Sequence, residues 1–250
     1  ISSITPETCH RALKGFWDTE DITLVLTTNE ALENADETLD SLYHKSSLIE
    51  VRPPEKKAAA SFAYTDFGKP GGIANQSRIE DMDITQVSFH NGCKCNLKKT
   101  DFDKNSITVT ARIGAGKLAM PKDKPGLDLF ATSAFKAGGL AKHSSDDLER
   151  ILAGRNANIS FHVGEESFRL SGSTTPEDLE LQLQLLCAYL TDAGLRPEGE
   201  RIFKAKLPSM FSQMKHTPAG AQAEMTALLR GNDARFVFPT LEQAQALSTE

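Results

Sequence analysis

Apolar positions at Leu127, Phe130, Ala131, Ala134 and Phe135 recur at helical spacing and put one inward-facing stripe on residues 127–135. Pro125 stands before this run, where a first helical turn needs no N–H, and Gly138-Gly139 follow it as a stop. Upstream, Ile107, Val109, Ala111 and Ile113 alternate with Thr108, Thr110 and Arg112, which predicts a half-buried antiparallel strand over 106–113. Residues 84–89 and 93–97 flank Asn91-Gly92, a strong hairpin signal. A second hairpin is predicted over 158–163 and 167–173 across Gly164-Glu165-Glu166. Helices are predicted from Ser144 to about Ala153, from Thr175-Pro176 with Leu179, Leu183, Leu186, Cys187 and Leu190 inward, and then from Pro197, Thr217-Pro218 and Thr240.

Before this block, Thr5 caps a short helix from Pro6 to about Phe16, with Glu7 in its favourable first turn. Residues 21–27 read as a buried strand and Trp17 as a packing anchor. Leu32, Ala35, Leu39, Leu42 and Tyr43 trace another helical stripe, and residues 51–57, with Pro53-Pro54, read as an exposed linker. Residues 61–67 read as an edge strand ended by the turn Gly68-Lys69-Pro70-Gly71-Gly72. Antiparallel hairpins followed by grouped helices give an α+β fold, a mainly antiparallel sheet with helices on one face.

Composition narrows the function. With 250 residues, 39% hydrophobic and 25% charged, there is material for a packed core. The net charge of −6, without a Lys/Arg run, lacks the electrostatic footprint of nucleic-acid binding, and no apolar stretch is long enough to insert in a membrane. Of the four cysteines, Cys93 and Cys95 would lie on one face of a strand. A metal reading would need two further ligands and none follows in sequence, so Cys9, Cys93, Cys95 and Cys187 read as buried structural thiols without a disulfide framework.

The helix frame Gly126-Leu127 … Phe135-Lys136 … Gly138-Gly139 resembles that on which the insulinase/pitrilysin family of zinc peptidases carries its inverted His-x-x-Glu-His motif. Asn91-Gly92 in the first hairpin, Ser144 opening the next helix, and Gly231, Arg235 and Pro239 near the end add to the resemblance. It implies a preceding-domain tail over 1–30, a helix and linker over 31–81, and a truncated insulinase-like domain over 82–250. At the metal motif itself stand Leu129-Phe130-Ala131-Thr132-Ser133. Leu129 has no lone pair, the hydroxyls of Thr132 and Ser133 are poor zinc ligands beside imidazole, and Thr132 cannot take a proton from water at neutral pH. The expectation is a non-catalytic copy with no catalytic, cofactor or metal residue of its own. Zinc is then expected in a catalytic domain elsewhere in the full protein.

The family's third zinc ligand is a Glu on the helix following the second hairpin. Glu198 and Glu200 lie in that region but read as dipole-stabilised surface charge without the histidines. His10, His44, His90, His143, His162 and His216 are scattered, with His90 and His162 on predicted strands. Ser133-Ala-Phe-Lys136 matches a Ser-x-x-Lys nucleophile pattern without its companion motifs, and Gly114-Ala-Gly116 lacks the rest of a dinucleotide loop. Asp101, Asp103, Asp146 and Asp147 fall short of a calcium loop.

The resemblance implies a non-catalytic domain that helps close the chamber of a larger zinc metalloendopeptidase and bind a peptide or unfolded substrate. Its partners would be other insulinase-like domains, in the same polypeptide or a partner subunit. The alternative is an assembly subunit resembling the core proteins of respiratory complexes, and a third reading is an independent enzyme using Ser133. The chain opens on Ile1 rather than methionine and is expected to be a piece of a longer polypeptide. Family members act in periplasm, organelles or cytosol; among these an extracytoplasmic, periplasmic setting is the expectation for a bacterial chain.

Overall fold

The computed structural model describes residues 4–17, 22–51 and 61–249. Two units emerge, Ile1–Lys57 and Ala58–Glu250. In the first, α1 (Pro6–Phe16) starts where expected: Thr5 accepts from the Thr8 N–H and donates its own N–H to Thr8 Oγ1, closing a reciprocal cap. The Glu7 carboxyl is held below its usual range by its own backbone N–H at this helix start, and then by Thr5. Helix α2 (Ala35–Ser47) follows the left-handed Asn34. Residues 22–27 form no strand, and Val25 is 83% exposed. A run of β-formers needs a ladder partner, and none is present among the described residues of this unit. Asp21 and most of the expected linker lie outside the described residues. Trp17 ends α1 at 65% exposure rather than anchoring a core.

The second unit carries two three-stranded antiparallel sheets. In the first, β1 (Ile73–Ile79), β2 (Ile84–Phe89) and β3 (Lys94–Lys98) lie in chain order. Strand β1 has no counterpart in the sequence reading, because six of its seven residues are exposed and no alternation marks it. The β2–β3 hairpin closes as expected at Asn91-Gly92, with only Gly92 at positive φ (+88°) and Gly92 N–H donating to the Phe89 carbonyl.

In the second sheet, β6 (Phe168–Thr174) sits between β4 (Ile107–Ile113) and β5 (Ser160–Val163). One face of this sheet turns Val109, Ala111, Phe161 and Leu170 to the core, against α5 (Leu179–Thr191) and α3 (Leu127–Ala137). Helix α4 (Ser145–Ile151) is capped by Ser144 and Asp147 and adds Leu148 to the same core. Gly172 admits the approach of α5: a Cβ there would lie 2.1 Å from the Asn158 carbonyl and 2.4 Å from Gln182 Nε2.

Gln182 also corrects the expected face of α5. Its fully buried amide accepts from the Asn158 N–H and donates to the Asn158 carbonyl, both at 2.9 Å. This clamp turns Gln182, Leu185, Leu186, Ala188 and Tyr189 inward and leaves Leu183 and Leu190 about two-fifths exposed, at 43% and 42%. Burying Gln182 is tolerated because both ends of its amide are satisfied.

Residues 61–67 form no edge strand. The segment is tied down by other bonds: the Ala63 N–H donates to His143 Nε2 at 2.9 Å, and the Tyr64 hydroxyl donates to Asp192 and accepts from the Lys142 N–H. Phe62 stacks on the His143 ring at 5.8 Å.

The last helices are α6 (Pro197–His216), α7 (Pro218–Leu229) and α8 (Leu241–Gln245). Together with α3, helices α6 and α8 build a second core from Phe130, Ala134, Phe203, Leu207, Ala244 and the following Leu247.

Candidate functional site

Helix α3 begins one residue after Gly126, whose φ of +82° makes it the left-handed cap, so Pro125 lies just outside the helix rather than in its first turn. Asp128 in the first turn pairs with Lys117 Nζ at 2.5 Å, and both side chains are mostly buried. Phe130 meets the Phe203 ring edge-on at 5.2 Å, and Leu129 packs against the same cluster. The Thr132 hydroxyl donates back to the Asp128 carbonyl at 2.7 Å. Ser133 is half-buried and Lys136 exposed, and no hydrogen bond joins them among the described residues. A serine without a base is no nucleophile at neutral pH.

Helix α6 crosses α3 closely, because a Cβ on Gly199 would come within 2.6 Å of the Ala134 carbonyl. The apolar side chains of the two helices share a core, and their ligand-type side chains form no metal-binding group among the described residues. Glu198 is exposed. Glu200 takes the Lys204 ammonium at 2.7 Å and the Thr249 N–H at 3.2 Å, which together, Lys204 first, hold its carboxyl below the usual range. The residues present do not fit a zinc ion: Leu129 offers no donor, the Thr132 hydroxyl is engaged, and Glu200 is neutralised by a lysine. Among the described residues no group of three or more His, Cys, Asp or Glu could hold a metal.

No protein-family model matches the chain. A curated relative, the chloroplastic stromal processing peptidase of Arabidopsis thaliana, is 26% identical over 190 residues, covering 72% of this chain and 15% of the relative. Among solved structures, the periplasmic protease PqqL from Escherichia coli superposes with a TM-score of 0.62 over 88% of this chain at 20% identity. The ferredoxin protease FusC, solved as a point mutant in complex with Arabidopsis ferredoxin, superposes with a TM-score of 0.61 over 99% of this chain at 16% identity. The chain has the insulinase-like peptidase fold. It spans 24% and 28% of those two solved chains, so it matches only a part of each relative.

The remaining candidates are spread over the chain, and several have structural partners. Lys117 and Leu118 N–H groups, which a dinucleotide loop would aim at phosphate, donate to the Gly164 and Glu165 carbonyls at 2.9 and 3.2 Å. Asp147 serves Ser144 and Arg150, which together push its carboxyl far below the usual range. Asp101, Asp103 and Asp146 are not drawn together with it into any metal-binding group among the described residues. His10, His44, His90, His162 and His216 are exposed, and His90 lies in the turn after β2 rather than on a strand. Only His143 is buried among the histidines, and desolvation, partly offset by Asp147, lowers its pKa from the ordinary 6.5. All four cysteines are free; Cys9 and Cys93 are exposed, contrary to the buried reading, while burial raises the Cys187 thiol.

The residue that sequence reasoning missed is Arg196, immediately before α6. Its Nη1 donates to the carbonyls of Gly138, Leu140 and His143 at 2.8, 2.5 and 3.1 Å, and its Nη2 donates to Ala141 at 2.8 Å. It thus ties the end of α3 to the start of α6. No local motif marks such a role, since all four acceptors lie more than fifty residues away.

Proposed function

We propose that this chain is a non-catalytic insulinase-type domain of a larger zinc-dependent endopeptidase, where it helps enclose the substrate chamber and hold polypeptide. The observation that carries the reading is the commitment of α3 and α6 to packing. The helix that would present the metal motif carries Leu129, Thr132 and Ser133 at its ligand and base positions, and Glu200 on α6 is held by Lys204 and Thr249. The relatives bear the names of proteases, which supports a proteolytic setting. Strands β4 and β5 are the edges of their sheet, so an extended segment could add there through main-chain hydrogen bonds.

The test pairs two preparations. The chain alone, exchanged through zinc-containing buffer, is expected to retain far less than one zinc per molecule and to cleave no fluorogenic peptide. The full-length polypeptide is expected to hold zinc and lose hydrolysis to a chelator. Stoichiometric zinc with hydrolysis by the chain alone would refute the proposal. A full-length protein without zinc or hydrolysis would favour the assembly-subunit reading.

A further inference from the structure

The second sheet has one face on the core and one in water, and the wet face is not random. The register sets Thr108 beside Ser173, Ser171 between Thr110 and Ser160, and Arg169 between Arg112 and His162. Thr108, Thr110, Arg112, Ser160, His162 and Ser173 are exposed, and Ser171 and Arg169 are half-buried. The face therefore holds a ladder of hydroxyls ending in a lateral row of two arginines and a histidine. Thr110 Oγ1 and Ser171 Oγ lie 3.3 Å apart across the strands. Neither arginine, nor His162, makes an ion pair among the described residues. The nearest acids along the chain, Glu165 and Glu166, belong to the β5–β6 turn beyond the row, and Glu165 is taken by Arg230.

Like charges set directly opposite on neighbouring strands destabilise a sheet. In a chain of net charge −6, two facing arginines without a counter-ion are a local reversal of sign. We infer that this face, rows Thr110–Ser171–Ser160 and Arg112–Arg169–His162, is a docking surface for an acidic, extended segment of polypeptide. The inference rests on the polypeptide-holding reading above and names the chemistry of what is held. Neighbouring strands lie about 4.8 Å apart, so the cationic row spans roughly 10 Å. Carboxylates at alternate positions of an extended segment are about 6.8 Å apart, within that span. The hydroxyl ladder offers donors and acceptors to the segment's backbone amides. The face presents no Phe, Tyr or Trp on which bases would stack, which argues for peptide over single-stranded nucleic acid.

The test is fluorescence anisotropy on the 250-residue chain with a labelled Thr-Glu repeat peptide, its Thr-Gln counterpart and a single-stranded oligonucleotide of similar length. The acidic peptide is expected to bind about tenfold tighter than the neutral one at low salt, and the preference to shrink as salt rises. The double variant Arg112→Gln/Arg169→Gln should lose the preference while melting no lower than wild type, because it relieves the facing charges. Equal binding of both peptides would overturn the inference and leave the polypeptide-holding reading intact, whereas binding of neither would overturn both. An oligonucleotide that binds more tightly than the acidic peptide through the same arginines, or self-association abolished by the double variant, would also overturn it in favour of that other occupant.

Discussion

Replacing Arg196 by methionine tests how the crossing of α3 and α6 is held. The guanidinium serves four carbonyls, but they are not equally dependent on it. The Leu140 carbonyl also accepts the His143 N–H and the His143 carbonyl also accepts the Leu140 N–H, so both keep a partner in the variant. The carbonyls of Gly138 and Ala141 have Arg196 as their donor; Ala141 is exposed, so water can replace the guanidinium there, and the Gly138 carbonyl alone is left bare. An orphaned, partly buried acceptor costs about 1–3 kcal/mol, so this one, with methionine still filling the stem's space, gives a loss of about 1–3 kcal/mol. Four independent charge-assisted bonds would instead sum to about 6–12 kcal/mol, more than many domains possess. Arg196→Lys should recover less than half, since one ammonium cannot reproduce a planar fork reaching four acceptors. Urea unfolding followed by circular dichroism measures the difference, with an unchanged slope showing that only stability moved. A loss below about 1 kcal/mol for Arg196→Met would show that water satisfies these carbonyls and that packing alone sets the crossing.

Gln182→Leu removes the side-chain partner of both the Asn158 N–H and the Asn158 carbonyl and should cost about 2–4 kcal/mol in the same assay. His143 gives a pH signature. Its folded pKa lies below the ordinary 6.5, chiefly through burial, so its contribution is complete above 6.5 and is lost as pH falls toward the folded value, where the unfolded chain binds the proton first. His143→Phe should therefore be less stable than wild type by about 1–2 kcal/mol at pH 8, for want of an acceptor for the Ala63 N–H, with the gap narrowing below pH 6.5. A gap that widens on acidification would contradict the neutral, accepting tautomer.

The elements whose evidence is local were legible in the sequence. The cap at Thr5, the Asn91-Gly92 turn, the alternation of β4 and the stripe of α3 each depend on residues within a few positions of one another. Failures cluster where a distant side chain decides. Residues 61–67 have strand composition but give their backbone donor to an imidazole eighty positions away, and α5 is rotated by an amide that reaches Asn158. Strand β1 fails for the opposite reason: a ladder with little burial leaves no hydrophobic pattern to read. At the site, the ligand positions were legible as residue types, while the engagement of Glu200 depended on where Lys204 and Thr249 fall in space.

That engagement has a bearing on attempts to install a metal centre. Histidines placed at 129 and 133 would supply two imidazoles on one helix face, yet Glu200 on α6 is already spent accepting from Lys204 and the Thr249 N–H. An engineer would first have to release Glu200 by removing Lys204 and give the Thr249 N–H another acceptor. Without those two preliminary changes, grafted imidazoles would meet a carboxylate tied to another task.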